Sequence, residues 1–470
     1  MKRRTKIVAT LGPASESRAM IRSLMHGGVD VFRLNFSHGT QEEKAELIAI
    51  IREEAANWPF AVAILGDLQG PKIRTGLMEN GAMSLEPGTE VTITTRDVMG
   101  KDGLFSTTYA GLPRDVRPGE RILLDDGNMQ LTVLAVSGDE VRCRVLVGGT
   151  LRDHKGINLP GTVVSTPAVT EKDRKDLAFC LEHGVDYIGQ SFVRQASDVR
   201  ELRALMGDMR VPIVAKIEKP QALDDFEAIL REVDAVMVAR GDLGVEMNPE
   251  KVPLIQKRII RACNFVGKPV ITATQMLESM IHNPRPTRAE TSDIANAILD
   301  GSDAVMLSGE TAVGEHALEA VEMMGLVADD VETHPDFLLQ PYLWKEKPTD
   351  RSEIIARAAC KIAEQVKAQA ILIFTQTGRT AMLVAKYRPT VPVLAVAPNQ
   401  EIRRRMVLYR NIRSLQMTSP AELDLEERIA CAKRAVLASG RMKEGDVAVI
   451  VMGSPVSAAG TTNLIKVETF

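Results

Sequence analysis

Short apolar runs that stop abruptly at polar residues recur along this chain, with helically spaced stretches between them. Residues 6–13 (K-I-V-A-T-L-G-P) predict a strand ended by Gly12-Pro13, and residues 15–25 predict an amphipathic helix. Residues 29–37 predict a second strand, in which Arg33, Asn35 and Ser37 alternate with Phe32, Leu34 and Phe36 and so share one side. A helix over 42–55 and a third strand over 61–67, closed by Asp67, follow. From Gly70 to about Gly161 the rhythm breaks into Gly- and Pro-punctuated alternating runs (90–95, 121–124, 130–136, 141–147), which predict an inserted β domain. After Thr170 the alternation resumes, with strands expected at 187–192, 213–218, 235–241, 270–275 and 304–308. The total of eight strand–helix units predicts a (β/α)8 TIM barrel. The strand ends carry Thr10, Asn35, Asp67, Ser191, Glu218, Asp242, Thr274 and Ser308. An open doubly wound sheet also places ligands at strand ends, but it does not need eight polar ends.

Residues 334–350, with Pro335, Pro341 and Pro348, interrupt the pattern and predict a linker. Beyond it, a helix over 352–367 and apolar strands at 370–374, 391–396 and 447–452 predict an α/β open-sheet domain. The expected division is barrel (1–69), small β-barrel lid (70–161), barrel again (162–338) and C-terminal α/β domain (339–470).

Composition changes this picture only by exclusion. With 45% hydrophobic and 26% charged residues, the chain has the make-up of a globular protein. A net charge of −4 gives no blanket attraction for nucleic acid or anionic membrane, so any anion site must be local. Aromatic residues, at 4%, are too sparse for base-stacking platforms. The five cysteines form no C-x-x-C pair, which argues against a disulfide framework or a zinc site and fits a reducing compartment. The basic start Met1-Lys2-Arg3-Arg4 is followed by an apolar run too short for a signal peptide, and no run is long enough to span a membrane; the expectation is a cytoplasmic protein.

The chemistry concentrates in residues 211–244, V-P-I-V-A-K-I-E-K-P through D-A-V-M-V-A-R-G-D-L-G. Lys216 and Glu218, two apart on a strand, point the same way, and Asp242 follows the next run. Two carboxylates at neighbouring strand ends suit Mg²⁺, which is held by one or two protein carboxylates plus substrate oxygens and water. Zinc would need His or Cys, and these strands have neither. With the cations Arg33, Lys72, Arg74 and Lys216, the set fits phosphoryl transfer, which requires mainly positioning and neutralisation. No Ser-His-Asp arrangement offers itself. His38 admits two readings, a nucleotide contact or a solvated loop histidine. Arg240-Gly241-Asp242 resembles an adhesion tripeptide, but an apolar strand leads into it. The loop Thr375-Gln376-Thr377-Gly378-Arg379-Thr380 is either a phosphate cradle at a helix N-terminus or a plain strand–helix turn capped by Thr.

Together these segments resemble the pyruvate kinase family along essentially the whole chain. The resemblance rests on T-K-I-V-A-T-L-G-P (5–13), F-R-L-N-F-S-H-G (32–39), G-P-K-I-R-T-G (70–76), K-G-I-N-L-P-G (155–161), A-K-I-E (215–218), V-A-R-G-D-L-G-V-E (238–246), I-T-A-T-Q-M-L-E-S-M (271–280), N-P-R-P-T-R-A-E (283–290) and D-A-V-M-L-S-G-E-T (303–311), in the family's order. It implies transfer of a phosphoryl group from phosphoenolpyruvate to ADP, giving pyruvate and ATP, with Mg²⁺ (or Mn²⁺). It makes Lys216 the lysine that stabilises the phosphoryl group in flight, Glu218 and Asp242 the metal ligands, and Arg33 and Arg74 the neutralisers of phosphate charge. Thr274, with the backbone of Gly241 and Asp242, would face the substrate carboxylate, and Asn35, Ser37, His38, Arg74 and Lys155 would lie on the nucleotide side. The C-terminal domain would be an effector module, with Thr375, Thr377, Gly378, Arg379 and Thr380 on a phosphate of a sugar phosphate or AMP and residues 460–463 nearby. The resemblance also implies a homotetramer.

One departure matters. Many family members carry T-K-G-P-E and use K⁺, whereas this chain reads Asp67-Leu68-Gln69-Gly70-Pro71-Lys72. The Lys72 ammonium is expected to supply the charge of a K⁺ otherwise held at Asn35, Ser37, Asp67 and Leu68, so that K⁺ is not required; Thr75 keeps the K⁺-using pattern. The simpler alternative has Lys72 pair with Asp67 while the cation still binds. Two other readings compete for the whole protein: another Mg²⁺-dependent barrel enzyme of phosphoenolpyruvate or pyruvate, such as a lyase, and a metabolite-sensing homologue without catalysis.

Overall fold

The computed structural model describes residues 3–334, 342–345, 348, 350–416, 424–453 and 462–470. Among them, eight parallel strands close a barrel: β1 (Lys6–Thr10), β2 (Val31–Asn35), β3 (Ala63–Asp67), β4 (Tyr187–Gln190), β5 (Ile213–Ile217), β6 (Ala235–Ala239), β7 (Val270–Ala273) and β8 (Ala304–Leu307). Each pairs with its neighbours in chain order, and β8 returns to β1. Successive side chains divide between two cores, as the two-residue period demands. Val8, Val31, Leu65, Val214, Met237, Ile271 and Met306 fill the barrel interior. Ile7, Phe32, Ile64, Ile188, Val236 and Val305 face the surrounding helices. With both faces covered, these strands read as near-continuous apolar runs, and every residue of β1, β3 and β6 is buried.

The helices start where side chains satisfy their free amides. Ser17 accepts from the Met20 amide ahead of Arg18–Gly27, and capping boxes built on Thr40, Thr170 and Thr287 open Gln41–Ala56, Glu171–Glu182 and Arg288–Asp300.

Several strands end earlier than their apolar runs. Phe192, Thr274 and Gln275 turn at φ of 54°, 70° and 54°, which ends β4 and β7 before them. Arg240-Gly241-Asp242 is not a strand end, as the sequence suggests, but the start of the helix Arg240–Glu246.

The insertion is a β lid. Among the described residues its main sheet has six strands, in the order Ile157–Asn158, Arg121–Leu124, Met129–Ser137, Glu140–Val147, Glu90–Thr94 and Leu104–Ser106. Residues 73–76 bridge its two edges. Ile157 donates to the Ile73 carbonyl (2.9 Å), Arg74 pairs with Gly156, Thr75 pairs with Thr107, and Gly76 donates to Ser106 (3.0 Å). The small sheet thereby closes around Ile93, Phe105, Ile122, Leu131 and Val141. Ala82–Leu85 and Gly149–Arg152 form a separate ribbon.

The C-terminal sheet has the order Ile412–Gln416, Val393–Ala397, Ala370–Phe374, Val447–Met452 and Leu464–Thr469, with the last strand antiparallel. Val407 and Leu408 from this part of the chain plug the interior core of the barrel at its base. The expected linker at 334–350 falls largely outside the described residues; within it Tyr342–Lys345 is a short helix. Among the described residues, no helix is long and apolar enough to cross a membrane.

Candidate active site

The polar strand ends converge at the mouth of the barrel, under the lid. Lys216 is its centre. The penultimate residue of β5, it lies among apolar neighbours, with its side chain only 11% exposed. Its Nζ donates to the Ser191 hydroxyl (2.7 Å) and lies 3.0 Å from Glu218 Oε1 and 3.4 Å from Asp67 Oδ1. Burial works against the ammonium, but Asp67 and Glu218 outweigh it and hold the Lys216 pKa above the ordinary lysine value. Asp67 is in turn gripped by Arg33, whose Nε donates to Oδ2 at 2.6 Å while Nη1 donates to Thr10 at 3.0 Å. Burial alone would raise the Asp67 pKa; Lys216 and Arg33 bring it below the usual carboxylate value. Burial inverts the outcome at Glu218. Its pKa is raised, with Lys216 opposing the rise and Asp242 adding to it. One Glu218 oxygen also accepts from the Phe192 amide at 2.8 Å.

Glu218 and Asp242 thus stand close enough to repel each other, which a bound cation would relieve. Among the described residues, no group of three or more His, Cys, Asp or Glu forms a closed metal site. Two hard carboxylates with the remaining positions left to substrate oxygens and water fit Mg²⁺.

Thr274 completes the floor. Its hydroxyl accepts from the Gly241 amide (2.8 Å) and donates to the Ala273 carbonyl (2.6 Å). A β-branched residue at φ 70° is strained, at a cost of roughly 1–3 kcal/mol, and such outliers cluster at functional sites.

The other predicted residues are placed as follows. Asn35 Oδ1 accepts from the Ser37 amide (3.0 Å), making a tight turn into His38. Burial first, then the charges of Arg74, Lys44, Lys72 and Arg33, push the His38 pKa down. The Leu68 carbonyl accepts from Ser191 (2.7 Å). Lys72 does not pair with Asp67, whose oxygens face Arg33 and Lys216; its Nζ lies 3.7 Å from Asp242. Arg74 donates to the His154 carbonyl (3.0 Å) at the root of the lid. Lys155 is engaged with Asp125 within the lid (2.7 Å). The lid is seated on the barrel by Asn158, which donates to Glu246 (2.7 Å), itself paired with Lys219. Lys72, Asp126, Arg240, Gly241, Asp242 and Gln275 line a cavity of about 890 Å³ beside the cleft.

In the C-terminal sheet, Thr375 Oγ1 accepts from the Gly378 amide (2.9 Å), and Thr380 shares a hydrogen bond with Thr462 (2.8 Å). Gly378, at φ 88°, precedes the helix Arg379–Lys386, which has no side-chain cap, and Arg379 pairs with Asp350. Thr377 Oγ1 lies 3.5 Å from the Arg379 amide. Gly460 and Thr461 lie outside the described residues.

Sequence reasoning missed Ser191 as the partner that ties Lys216 to β3, and it passed over Arg240, whose guanidinium reaches the carbonyls of Ala273 and Thr274. A lone arginine ending the run V-A-R-G-D was the only signal for the second.

The chain matches the family described as "Pyruvate kinase, barrel domain" over residues 2–321 and "Pyruvate kinase, alpha/beta domain" over 353–468. It is 47% identical to the pyruvate kinase of Geobacillus stearothermophilus over 476 residues, covering 100% of this chain and 80% of that relative. It is 45% identical to that of Corynebacterium glutamicum over 473 residues, covering 100% and 98%. A crystal structure of a pyruvate kinase from Cryptosporidium parvum superposes with a TM-score of 0.93 at 38% identity, covering 100% of this chain and 96% of that one. With both family signatures and relatives of this similarity along its whole length, the chain belongs to the pyruvate kinase family.

Proposed function

We propose that this cleft transfers the phosphoryl group of phosphoenolpyruvate to ADP, giving pyruvate and ATP. The observation that carries the reading is the buried Lys216 ammonium, kept charged by Asp67 and Glu218 at the end of β5. A preorganised cation in a low-dielectric site stabilises negative charge far better than one in water. Arg33, locked by Asp67 and Thr10, and Arg74 neutralise phosphate oxygens. Thr274 and the Gly241 and Asp242 amides orient the substrate carboxylate, with the Gly241 amide turning to it from the Thr274 hydroxyl. Glu218 and Asp242 hold Mg²⁺ (or Mn²⁺), which supplies positive charge to the oxygens of the reacting groups. Asn35, Ser37, His38, Arg74 and Lys155 take the nucleotide as the lid closes; the Asn158–Glu246 contact supports a lid seated over the cleft, and the lid with Lys155 favours a nucleotide-using transferase over a lyase.

Three finer features belong to the same proposal. Lys72 substitutes for K⁺ near Asn35, Ser37, Asp67 and Leu68; its contribution to the depressed His38 pKa supports a charge acting on that turn. The loop with Thr375, Thr377, Gly378, Arg379 and Thr380 binds a phosphate of an effector, a sugar phosphate or AMP; the uncapped helix behind Gly378 supports this. The protein works in the cytoplasm as a homotetramer.

The decisive test is steady-state turnover of phosphoenolpyruvate and ADP with Mg²⁺, followed by pyruvate formation. Wild type turns over, and Lys216→Met loses at least about 10³-fold in kcat. Pyruvate release without ADP would favour a lyase, and no turnover would favour a sensor.

A further inference from the structure

We propose that Arg240, backed by Asp293, is a positioning residue: it holds the 273–275 turn so that the Thr274 hydroxyl and the Gly241 amide, which bond to each other in this structure, stay where both can turn to the substrate carboxylate. This deepens, and rests on, the reading of the cleft given above. Arg240 opens the helix Arg240–Glu246 directly after β6, and its side chain is only 13% exposed. Its fork spans the exit of β7. Nε donates to the Ala273 carbonyl (3.2 Å), Nη2 to the Thr274 carbonyl (2.7 Å), and Nη1 to Asp293 Oδ1 (2.8 Å). Nη2 also lies 2.9 Å from Met276 Sδ.

These carbonyls leave the barrel ladder because Thr274 and Gln275 adopt left-handed backbone, at φ 70° and 54°. Neither residue is a glycine, so the turn needs outside support to keep that shape. Arg240 supplies it from one side. From the other, the next amide in the chain, Gly241, donates to the Thr274 hydroxyl (2.8 Å). Two consecutive residues at the end of β6 therefore grip backbone and side chain of the same turn. Asp293, on the helix Arg288–Asp300, fixes the guanidinium from behind. A lysine cannot reproduce this, because a single ammonium does not bridge two carbonyls and a carboxylate with a planar fork.

The test is Arg240→Lys, alone and combined with Thr274→Ala, in steady-state assays and in amide hydrogen exchange. We expect KM for phosphoenolpyruvate to rise about 10- to 100-fold with KM for ADP changed less than about twofold, because only the carboxylate end is misplaced. In the Thr274→Ala background, Arg240→Lys should add less than about twofold, since both changes remove one interaction. Exchange over residues 273–277 should quicken at least about tenfold in Arg240→Lys. Unchanged KM for phosphoenolpyruvate, fully multiplicative losses, or equal rises in both KM values overturn the inference. If Arg240→Lys does not fold, Asp293→Asn, which keeps the guanidinium, decides by the same KM pattern. Exchange separates the two levels of the argument: quickened exchange in a protein whose wild type never turns over phosphoenolpyruvate upholds the clamp and refutes the reading of the cleft, while unaltered exchange refutes the clamp whatever the activity.

Discussion

Lys72 lies at the root of the lid with its ammonium 3.7 Å from Asp242, and after burial, Arg74 and Lys44 its charge also lowers the His38 pKa. If this fixed cation replaces a diffusible one, the K⁺ requirement disappears. Assayed in tetramethylammonium buffer, the enzyme should show less than about twofold activation by KCl, whereas Lys72→Glu should become strongly K⁺-dependent, because the substitution exchanges a cation for an anion at this position. Strong K⁺ activation of wild type would show that Lys72 acts only as a partner of Asp242. At this scale, legibility followed period and distance. Lys216 and Glu218 were readable because a strand puts residues two apart on one face, Arg33 because it alternates with Phe32 and Leu34 within β2, and Asp67 because it ends β3. Ser191 was readable as a polar strand end but its bond to Lys216 was not, nor was the role of Arg240, which acts through backbone carbonyls that no sequence pattern marks.

Among the elements, the barrel strands were legible because burial on both faces writes them as unbroken apolar runs. Their ends were less so: the turns at Phe192, Thr274 and Gln275 are held by tertiary contacts rather than by local glycine or proline. The lid strands Leu104–Ser106 and Ile157–Asn158 are too short to show alternation, and residues 73–76 close the sheet through isolated bridges. The helix Arg379–Lys386 starts behind Gly378, which offers no capping side chain, with only a long contact from Thr377 to its first amide, while Thr380 is tied to Thr462 on the last stretch of chain. If that loop receives an effector phosphate, Thr380→Ala should weaken activation by a sugar phosphate or AMP about tenfold in half-saturating concentration and leave unactivated turnover unchanged. Titrating both effectors against wild type and variant checks this, and coincident curves would remove the loop from the effector site.

Across the whole molecule, the C-terminal part is fastened to the base of the barrel by buried charge that sequence alone reads as ordinary surface. Asp30 collects Arg3 (3.0 Å), Arg413 (2.5 Å) and, more distantly, Lys6 (3.9 Å). Glu332 accepts from Arg410 (3.0 Å) and from the Thr5 amide (2.8 Å) and hydroxyl (2.7 Å). Arg388 reaches Asp303 at the foot of β8 (3.1 Å), and Lys6 donates to the Ile412 carbonyl (2.7 Å). The partners lie from a few tens to about four hundred residues apart, beyond the reach of any local pattern. Removing one member strands the others, at a cost of about 3 kcal/mol, although the intact network adds less than its contacts suggest because burial of each charge opposes it. Glu332 gives the cleanest test. Burial tends to raise its pKa, but Arg410 and the amides of Arg4 and Thr5 bring it below the ordinary 4.5. A carboxylate depressed in the folded state stabilises that state above its unfolded pKa, and the contribution fades as pH falls through the folded value. The gap between wild type and Glu332→Gln should therefore be widest at neutral pH and narrow on acidification below about 4.5, as read from urea midpoints across a pH series. A gap that stays constant down to pH 3 would mean that Glu332 carries no depressed charge in the folded protein, and that the clasp at the barrel base is held by packing of Val407 and Leu408 instead.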